Sequence, residues 1–305
     1  MTWRSLLISK GGKLSLHQQQ MLIQQEGNEF TVPLEDIAIV VVESRETVIT
    51  LPLLSAFGLY GITLLSCDEQ FLPCGQWLPF NQYYRQLKTL KLQLETSLPL
   101  KKQLWQRIVQ QKIRNQAKVL SLCQHQEKSE RLLQLANLVK SGDKDNLEAQ
   151  SAVIYFSGLF GSHFRRKEED NAINIHLNYA YTVVRSAVAR SLVLYGWLPQ
   201  LGLFHHSELN AFNLADDFIE PFRPLVDLLV WNLLEKGLLT TNLTPISKQQ
   251  LIKILHHQLR FNQEKVSVLT AIDKTITSLQ IALIQKNATL LQLPEIDTLQ
   301  EYQYE

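Results

Sequence analysis

The feature that most constrains the fold of this chain is a change of hydrophobic period near residues 78–80. Before that point, short apolar runs alternate with polar positions in the two-residue period of β-strands, and turn residues separate the runs. After it, apolar residues recur every three or four positions, which is the period of a helix. We therefore predict an α+β protein with a small, mostly β domain over residues 1–76. A larger, all-α domain over residues 77–305 then carries the chemistry.

Particular segments sharpen this prediction. The run DIAIVVVE at residues 36–43 is continuous and β-branched, as expected for a strand that is buried on both faces. In the second domain we predict helices over residues 81–98, 101–124, 129–139, 145–160, 174–196, 213–238, 247–257 and 264–288. The first of these places Tyr84, Leu87, Leu90 and Leu94 near one apolar face. The segment after about Lys286 ends in the polar run EYQYE, which predicts a frayed tail.

Composition excludes several classes of protein. Of the 305 residues, 45% are hydrophobic and 19% are charged, which is normal for a folded soluble protein and not for a disordered one. No apolar run approaches the roughly 18–20 residues that span a bilayer, and the N-terminus lacks a signal-peptide core. Cys67, Cys74 and Cys123 show no metal-ligand spacing. We expect reduced thiols, no membrane contact and a cytoplasmic location.

Charge is unevenly distributed although the net charge is only +1. Residues 85–118 hold nine basic residues against a single acidic one, Glu95, whereas residues 1–75 are acidic overall. A block of that density suits a phosphate backbone, although a basic run can also be a solvated helix face. The residues of this block that we predict to bind DNA are Arg85, Lys88, Lys101, Lys102 and Arg107.

The stretch over residues 201–227, LGLFHHSELNAFNLADDFIEPFRPLVD, combines two adjacent histidines with five acidic residues. Imidazole and carboxylate together are ligands of divalent metal ions, with Mg²⁺ or Mn²⁺ favoured where oxygen donors dominate. Asp217 and Glu220 are three residues apart, so both point the same way on a helix. The acidic residues would equally suit the positive end of a helix that is capped by Asn210 or Asn213. The residues alone leave both interpretations open.

The prolines and glycines of this stretch separate its candidate ligands. Pro221 perturbs the helix, so Glu220 lies at a kink, where a side chain is re-aimed. Gly202 makes a turn, which places both histidines on a loop. His205 is the better ligand candidate, and His206 is predicted to be exposed.

Two further stretches supply candidates. Glu148 lies in the first turn of a predicted helix, where a carboxylate complements the helix dipole, and considered alone that structural role accounts for it. Arg165 and Arg166 precede a predicted helix that contains Asn178. Because asparagine has poor helix propensity, Asn178 indicates a specific hydrogen bond, either to a neighbouring loop or to a substrate.

Four spaced motifs in this sequence resemble those of one protein family. They are Glu148-Ala149 leading into Tyr155-Phe156, LNYAY at 177–181, LGLFHH at 201–206 and NLADDFIEPFRP at 213–224. In this combination, and across essentially the whole chain, the sequence resembles the CRISPR-associated integrase (endonuclease) of the spacer-acquisition module. The resemblance is to the form that accompanies type II systems.

The resemblance implies a divalent metal ion, Mg²⁺ or Mn²⁺, that is held by Glu148, His205 and Glu220. It makes Asp217 a possible fourth ligand or water holder, and it leaves the choice between His205 and His206 open by one residue. These three ligands would also be the catalytic residues, because the ion polarises a phosphodiester.

The resemblance also implies partners and a reaction. Members of the family insert a short DNA fragment into a CRISPR array next to its leader, by attack of a DNA 3′-hydroxyl on a phosphodiester. Two dimers of the integrase flank a dimer of a small ferredoxin-like adaptation protein. Arg165, Arg166 and the basic block would then follow the backbone of double-stranded DNA without reading bases. The alternatives are a stand-alone metal-dependent DNA nuclease and a non-catalytic DNA-binding scaffold.

Overall fold

The computed structural model describes residues 4–79, 83, 85–168 and 171–303. It confirms the predicted α+β fold, with a strand-rich N-terminal unit followed by a helical unit. The strands of the N-terminal unit are β1 (Arg4–Ile8), β2 (Gly12–His17), β3 (Gln20–Gln25), β4 (Asn28–Pro33), β5 (Ile37–Val42), β6 (Thr47–Ile49), β7 (Thr63–Cys67) and β8 (Pro73–Trp77). Helix α1 (Leu51–Tyr60) lies between β6 and β7.

These strands form two four-stranded sheets, in the orders β1-β5-β7-β8 and β4-β3-β2-β6. Every residue of β5 is buried, as its β-branched run predicts. Val40 and Val42 pack in the core of the N-terminal unit, whereas Ile39 and Val41 pack in the core of the helical unit. Strand β5 is therefore buried on both faces because each face belongs to a different core.

The helical unit begins after β8 and is built on one long central helix, α3. Its helices are α2 (Gln86–Leu94), α3 (Leu98–Leu122), α4 (Gln126–Leu138), α5 (Leu147–Leu159), α6 (Ala172–Leu194), α7 (Asn213–Ile219), α8 (Arg223–Glu235), α9 (Pro245–Ile252) and α10 (Val268–Ile284). A 3₁₀ turn over Glu220–Phe222 joins α7 to α8, at the kink that the prolines predict. Among the described helices, none has the length and apolarity that a membrane crossing requires.

The predicted helix over 264–288 starts too early. Residues 258–267 form a β-hairpin instead, with strands β9 (Gln258–Phe261) and β10 (Glu264–Ser267). The turn residues Asn262 and Gln263 both have positive φ, as a tight two-residue hairpin turn requires. Four-residue strands are too short for their period to be told from that of a helix, so the sequence pattern missed them.

The C-terminal segment is packed rather than frayed as far as Tyr302, whose amide donates to the His256 carbonyl at 2.7 Å. It pairs with the hairpin, because the Arg260 amide donates to the Glu295 carbonyl at 2.9 Å and the Gln258 amide donates to the Gln300 carbonyl at 2.8 Å. Leu291 is fully buried in the core of the helical unit. The prediction of a frayed tail was therefore wrong, and the last residues of the run EYQYE lie outside the described residues.

The predicted apolar face of the first helix is wrong for two of its leucines, whereas Leu90 is half-buried. Leu87 and Leu94 are 65% and 62% exposed, whereas Thr89 and Gln93 are buried. The Gln93 amide donates to the carbonyl of Leu198 at 2.9 Å, so hydrogen bonding to the loop after α6 decides which face of α2 is covered. Residues 81, 82 and 84 of the predicted helix lie outside the described residues.

A buried ion pair joins the two units. Glu43 follows β5, and its carboxylate lies 3.0 Å from the ammonium of Lys248 on α9. Both side chains are only 4% exposed. The Tyr179 hydroxyl on α6 donates to the same carboxylate at 3.2 Å. A second contact is the bond from Arg190 Nε to the Gly61 carbonyl at 2.6 Å. These contacts fix the sheet against the helical unit.

Candidate active site

Glu148 is placed by the start of α5. The Asp143 carboxylate accepts hydrogen bonds from the backbone amides of Leu147 at 2.9 Å and of Glu148 at 3.0 Å. Asn146 has a left-handed backbone and makes no side-chain cap. Asp143 thus satisfies amides at the helix start, and Glu148 in the first turn faces α3, where its Oε1 lies 2.6 Å from Lys112 Nζ.

Glu220 is placed by the 3₁₀ turn, and it meets the same lysine. Its Oε2 contacts Lys112 Nζ, and its Oε1 accepts from Arg223 Nε at 2.7 Å. Burial opposes ionisation of Glu220, but the neighbouring guanidinium and ammonium outweigh it and hold the pKa of this carboxyl below its ordinary value. Burial likewise opposes the charge on Lys112, yet the two carboxylates raise its pKa. The predicted ligands Glu148 and Glu220 therefore meet at one buried cation.

His205 is held by Asp217. Its Nδ1 lies 2.8 Å from Asp217 Oδ1, and this hydrogen bond raises the pKa of the imidazole against the effect of burial. Asp217 is fully buried and also accepts from the backbone amides of Leu203, Phe204 and His205, at 2.5, 3.2 and 3.1 Å. Four donors occupy the roughly four acceptor positions of this carboxylate. That geometry favours an orienting role for Asp217 over the direct ligation that the resemblance allowed.

The loop contacts also separate the two histidines. His206 is exposed, as predicted, and its Nδ1 donates to the Phe204 carbonyl at 2.8 Å. His205 is half-buried, and its ring meets the edge of Trp105 with centroids 5.6 Å apart. Phe204 stacks on Trp105 with centroids 4.3 Å apart and ring planes 2° apart. With Nδ1 directed at Asp217, Nε2 is the ring atom of His205 that is suited to a metal ion.

The metal site that the resemblance implies makes a prediction for Asp217. Replacing Asp217 with asparagine should lower the affinity for Mn²⁺ by about 10–100-fold, as is usual for the partner of a metal-binding histidine. The amide would retain the shape but lose one acceptor oxygen and the negative charge that orients His205. Calorimetric titration with Mn²⁺ measures the change. The neighbouring change Asp216→Asn is the matched control, because Asp216 bonds Asn210 and not His205. Equal affinities for the two variants would contradict an orienting role.

The residues predicted to bind DNA fall into two groups. Arg85, Lys88 and Lys102 are exposed and Lys101 is partly exposed, as a backbone-binding surface requires. Arg107 is half-buried and donates to the Leu291 carbonyl at 3.1 Å, which ties α3 to the C-terminal segment. That contact gives Arg107 a structural reason to be present, and its contact with DNA stays a prediction.

Arg165 and Arg166 also differ from each other. Arg165 is exposed and bonds carbonyls of its own loop. Arg166 donates to Asn178 Oδ1 at 2.6 Å, which is the specific hydrogen bond that the mid-helix asparagine indicates. Its guanidinium lies 5.3 Å from the centre of the Tyr181 ring, and that of Arg223 lies 4.5 Å from the same ring. Arg166 and Arg223 thus both contact the Tyr181 ring.

Sequence reasoning did not predict three of the residues that contact Glu148 or Glu220. Lys112 belongs to the basic block, but it follows the buried Ile108 by four residues, so the helical period places it toward the covered side of α3. That spacing could have identified it. Arg223 and Asp143 carry no comparable signal, because their contacts depend on the kink and on the turn before α5.

The donor set suits a divalent ion, although its members are not all gathered at one point. Within the described ranges, no three His, Cys, Asp or Glu side chains form a ready metal cluster. Glu148 and Glu220 meet at Lys112, and His205 pairs with Asp217 while lying near enough for Glu220 to raise its pKa. Two carboxylates and one imidazole fit Mg²⁺ or Mn²⁺ in kind.

The fold and site together define a class of protein in which a helical unit, backed by a strand-rich unit, holds carboxylates, an imidazole and cations suited to phosphodiester chemistry. The family model described as CRISPR associated protein Cas1 matches residues 6–260. The chain belongs to this family, which confirms the resemblance seen in the sequence.

Individual relatives agree. The chain is 61% identical, over the full length of both proteins, to the CRISPR-associated endonuclease Cas1 of Neisseria meningitidis serogroup C (strain 8013). A Cas1 endonuclease of Saccharolobus solfataricus is 27% identical over 77% of this chain and 76% of its own. A casposase bound to its integration product has the same fold, with a TM-score of 0.77 and 18% identity over 98% of this chain and 96% of its own.

Proposed function

We propose that this chain is a metal-dependent DNA endonuclease and integrase, which inserts short foreign DNA fragments as new spacers into a CRISPR array. The observation that carries the proposal is the convergence of Glu148 and Glu220 beside a histidine that a buried aspartate orients. The name of the full-length relative, an endonuclease, supports nuclease chemistry. The casposase, whose solved structure contains an integration product, supports joining by this fold.

Glu148, Glu220 and Nε2 of His205 would hold Mg²⁺ or Mn²⁺. The bound ion would polarise a phosphodiester and stabilise the charge of its pentavalent transition state. Asp217 keeps the His205 ring in one orientation and one tautomer, and Arg223 keeps Glu220 ionised. With a DNA 3′-hydroxyl as nucleophile the products are joined strands, and with water they are cut strands.

The surface supports DNA as the substrate. Exposed cations on α2 and at the start of α3, such as Lys88 and Lys102, can follow a phosphate backbone. We propose that this chain works as a homodimer, and that two dimers flank a dimer of a small ferredoxin-like adaptation protein. One solved structure of this fold is a Cas6-RT-Cas1–Cas2 complex, with a TM-score of 0.76 and 17% identity over 97% of this chain and 36% of that one.

The test is an integration assay. The full-length protein is incubated with Mg²⁺ or Mn²⁺, a short duplex DNA and a plasmid that bears the CRISPR repeat, with and without the small partner. We expect covalently joined product at the repeat that depends on the metal ion and on the partner, which sequencing of the junctions measures. The control is a plasmid without the repeat.

The other outcomes favour the other functions. Cleavage with no joined product, in the presence of the partner, would favour a stand-alone nuclease. DNA binding with neither cleavage nor joining would favour a non-catalytic scaffold, in which the acidic residues are helix-end charges.

A further inference from the structure

Lys112 stands where three elements of the helical unit converge. Its Nζ lies 2.6 Å from Glu148 Oε1 on α5 and also contacts Glu220 Oε2 on the 3₁₀ turn. Its side chain is only 12% exposed. One ammonium group on α3 therefore forms ion pairs with both carboxylates proposed to hold the metal ion.

Two carboxylates that contact the same ammonium, with Glu220 buried and Glu148 partly exposed, repel each other and are stabilised by the positive charge between them. Leaving a buried charge without its partner costs about 3–5 kcal/mol in typical proteins. Of these two carboxylates, Arg223 pairs with that of Glu220, through Oε1. Lys112 is shared by the two, so it stabilises their approach in a way that Arg223 does not.

A divalent ion bound by Glu148 and Glu220 needs the same oxygens as this ammonium. We propose that Lys112 is a built-in counter-cation, which holds the two carboxylates together and is displaced when a divalent ion takes their oxygens. The inference rests on the proposed metal site. A lysine suits the role because its ammonium is a compact charge on a flexible four-carbon stem, whereas an arginine would bind a carboxylate through a rigid fork.

Competition for the same oxygens makes ammonium contact and ion binding antagonistic. Couplings between linked binding events typically amount to about 5–150-fold in affinity. Removing the ammonium should therefore tighten the binding of the ion, while it destabilises the protein when no ion is added. Lys112 acts through the carboxylates, so it is a positioning residue rather than a catalytic one.

The test compares the full-length protein with Lys112→Met and Lys112→Arg. Binding of Mn²⁺ is measured by electron paramagnetic resonance, and thermal unfolding is followed with and without Mn²⁺. We expect Lys112→Met to bind Mn²⁺ about 5–150-fold more tightly and to melt at a lower temperature than wild type only when Mn²⁺ is left out. Lys112→Arg keeps the charge, so it should bind Mn²⁺ less tightly than Lys112→Met does. Lys118→Met, an exposed lysine of the same helix, is the matched control.

A second measurement is made on the wild-type protein itself, and a variant is used only to assign the signal. In the wild-type protein with labelled lysine, the nitrogen resonance of Lys112, assigned with the Lys112→Arg variant, reports whether the ammonium stays bonded. Its protected signal should disappear as Mg²⁺ is added. Persistence of that signal at saturating Mg²⁺ would overturn the proposal even if Lys112→Met does not fold.

The remaining outcomes are also decisive. Unchanged or weaker Mn²⁺ affinity in Lys112→Met overturns the counter-cation role, and so does a loss of melting temperature that Mn²⁺ leaves unaltered. If the wild-type protein itself binds no Mn²⁺, the proposed metal site fails instead, so the two failures are distinguishable.

Discussion

Replacing Glu148 with alanine should reduce metal-dependent strand transfer by about 10²–10³-fold or more, the usual cost of losing one group that stabilises transition-state charge. Glu148 is one of the two carboxylates that meet at Lys112, so its loss removes an oxygen donor from the proposed metal site. Its amide is capped by Asp143 through the backbone, and that cap does not depend on the Glu148 side chain. We therefore expect the fold and the affinity for DNA to be retained.

Strand transfer is measured as the rate of joined product formed on a repeat-bearing plasmid, and DNA binding is measured by fluorescence anisotropy. The matched control is Asp145→Ala, which removes an exposed carboxylate three residues earlier, where it pairs only with the exposed Lys140. That variant should keep close to wild-type activity. Equal rates for wild type and Glu148→Ala would contradict the assignment of Glu148 to the site.

Replacing Lys248 with methionine should lower the free energy of unfolding by about 3–5 kcal/mol, because it leaves Glu43 buried without its cation. The pair bridges the two units, and the Tyr179 hydroxyl that also bonds Glu43 carries no charge to replace the ammonium. Urea denaturation, followed by circular dichroism, measures the change.

The double variant Glu43→Gln with Lys248→Met should recover part of this loss, since it removes both charges together. The control is Lys10→Met, which breaks an exposed pair with Glu26 and should cost less than about 1 kcal/mol. If Lys248→Met lowers the free energy of unfolding by less than about 1 kcal/mol, this pair does not hold the units together.

Much of the architecture could be predicted because the spacing of apolar residues along a strand or helix indicates which of its faces are buried. The continuous β-branched run of β5 predicted a strand covered on both faces, and Ile39 and Val40 indeed belong to the two different cores. The same spacing cannot indicate which neighbouring element covers a given face of a helix. Leu87 and Leu94 were therefore assigned to a buried face of α2, whereas hydrogen bonds from Gln93 turn the opposite face inward.

At the site, the sequence predicted which residues are candidates but not which of them contact each other. The kink at Glu220 followed from the prolines, and the position of both histidines on a loop followed from the glycines. The spacing of the residues did not indicate that both carboxylate oxygens of Asp217 accept hydrogen bonds from the His205 loop. Likewise, a helical wheel brings Lys112 to the covered side of α3 but does not say which carboxylates it meets.

The sequence by itself determined the order of the two units, which depends on local period, and the family, which depends on the spacing of motifs. The set of candidate ligands followed from the resemblance to that family. Only the tertiary structure decided that Glu148 and Glu220, which lie 36 and 108 positions after Lys112 in the sequence, share its ammonium on α3. It also decided that Asp217 orients a histidine and that Arg107 anchors the C-terminal segment. The physical reason is that a charge is placed by its long-range partners, and a buried charge is stable only where the fold brings those partners to it.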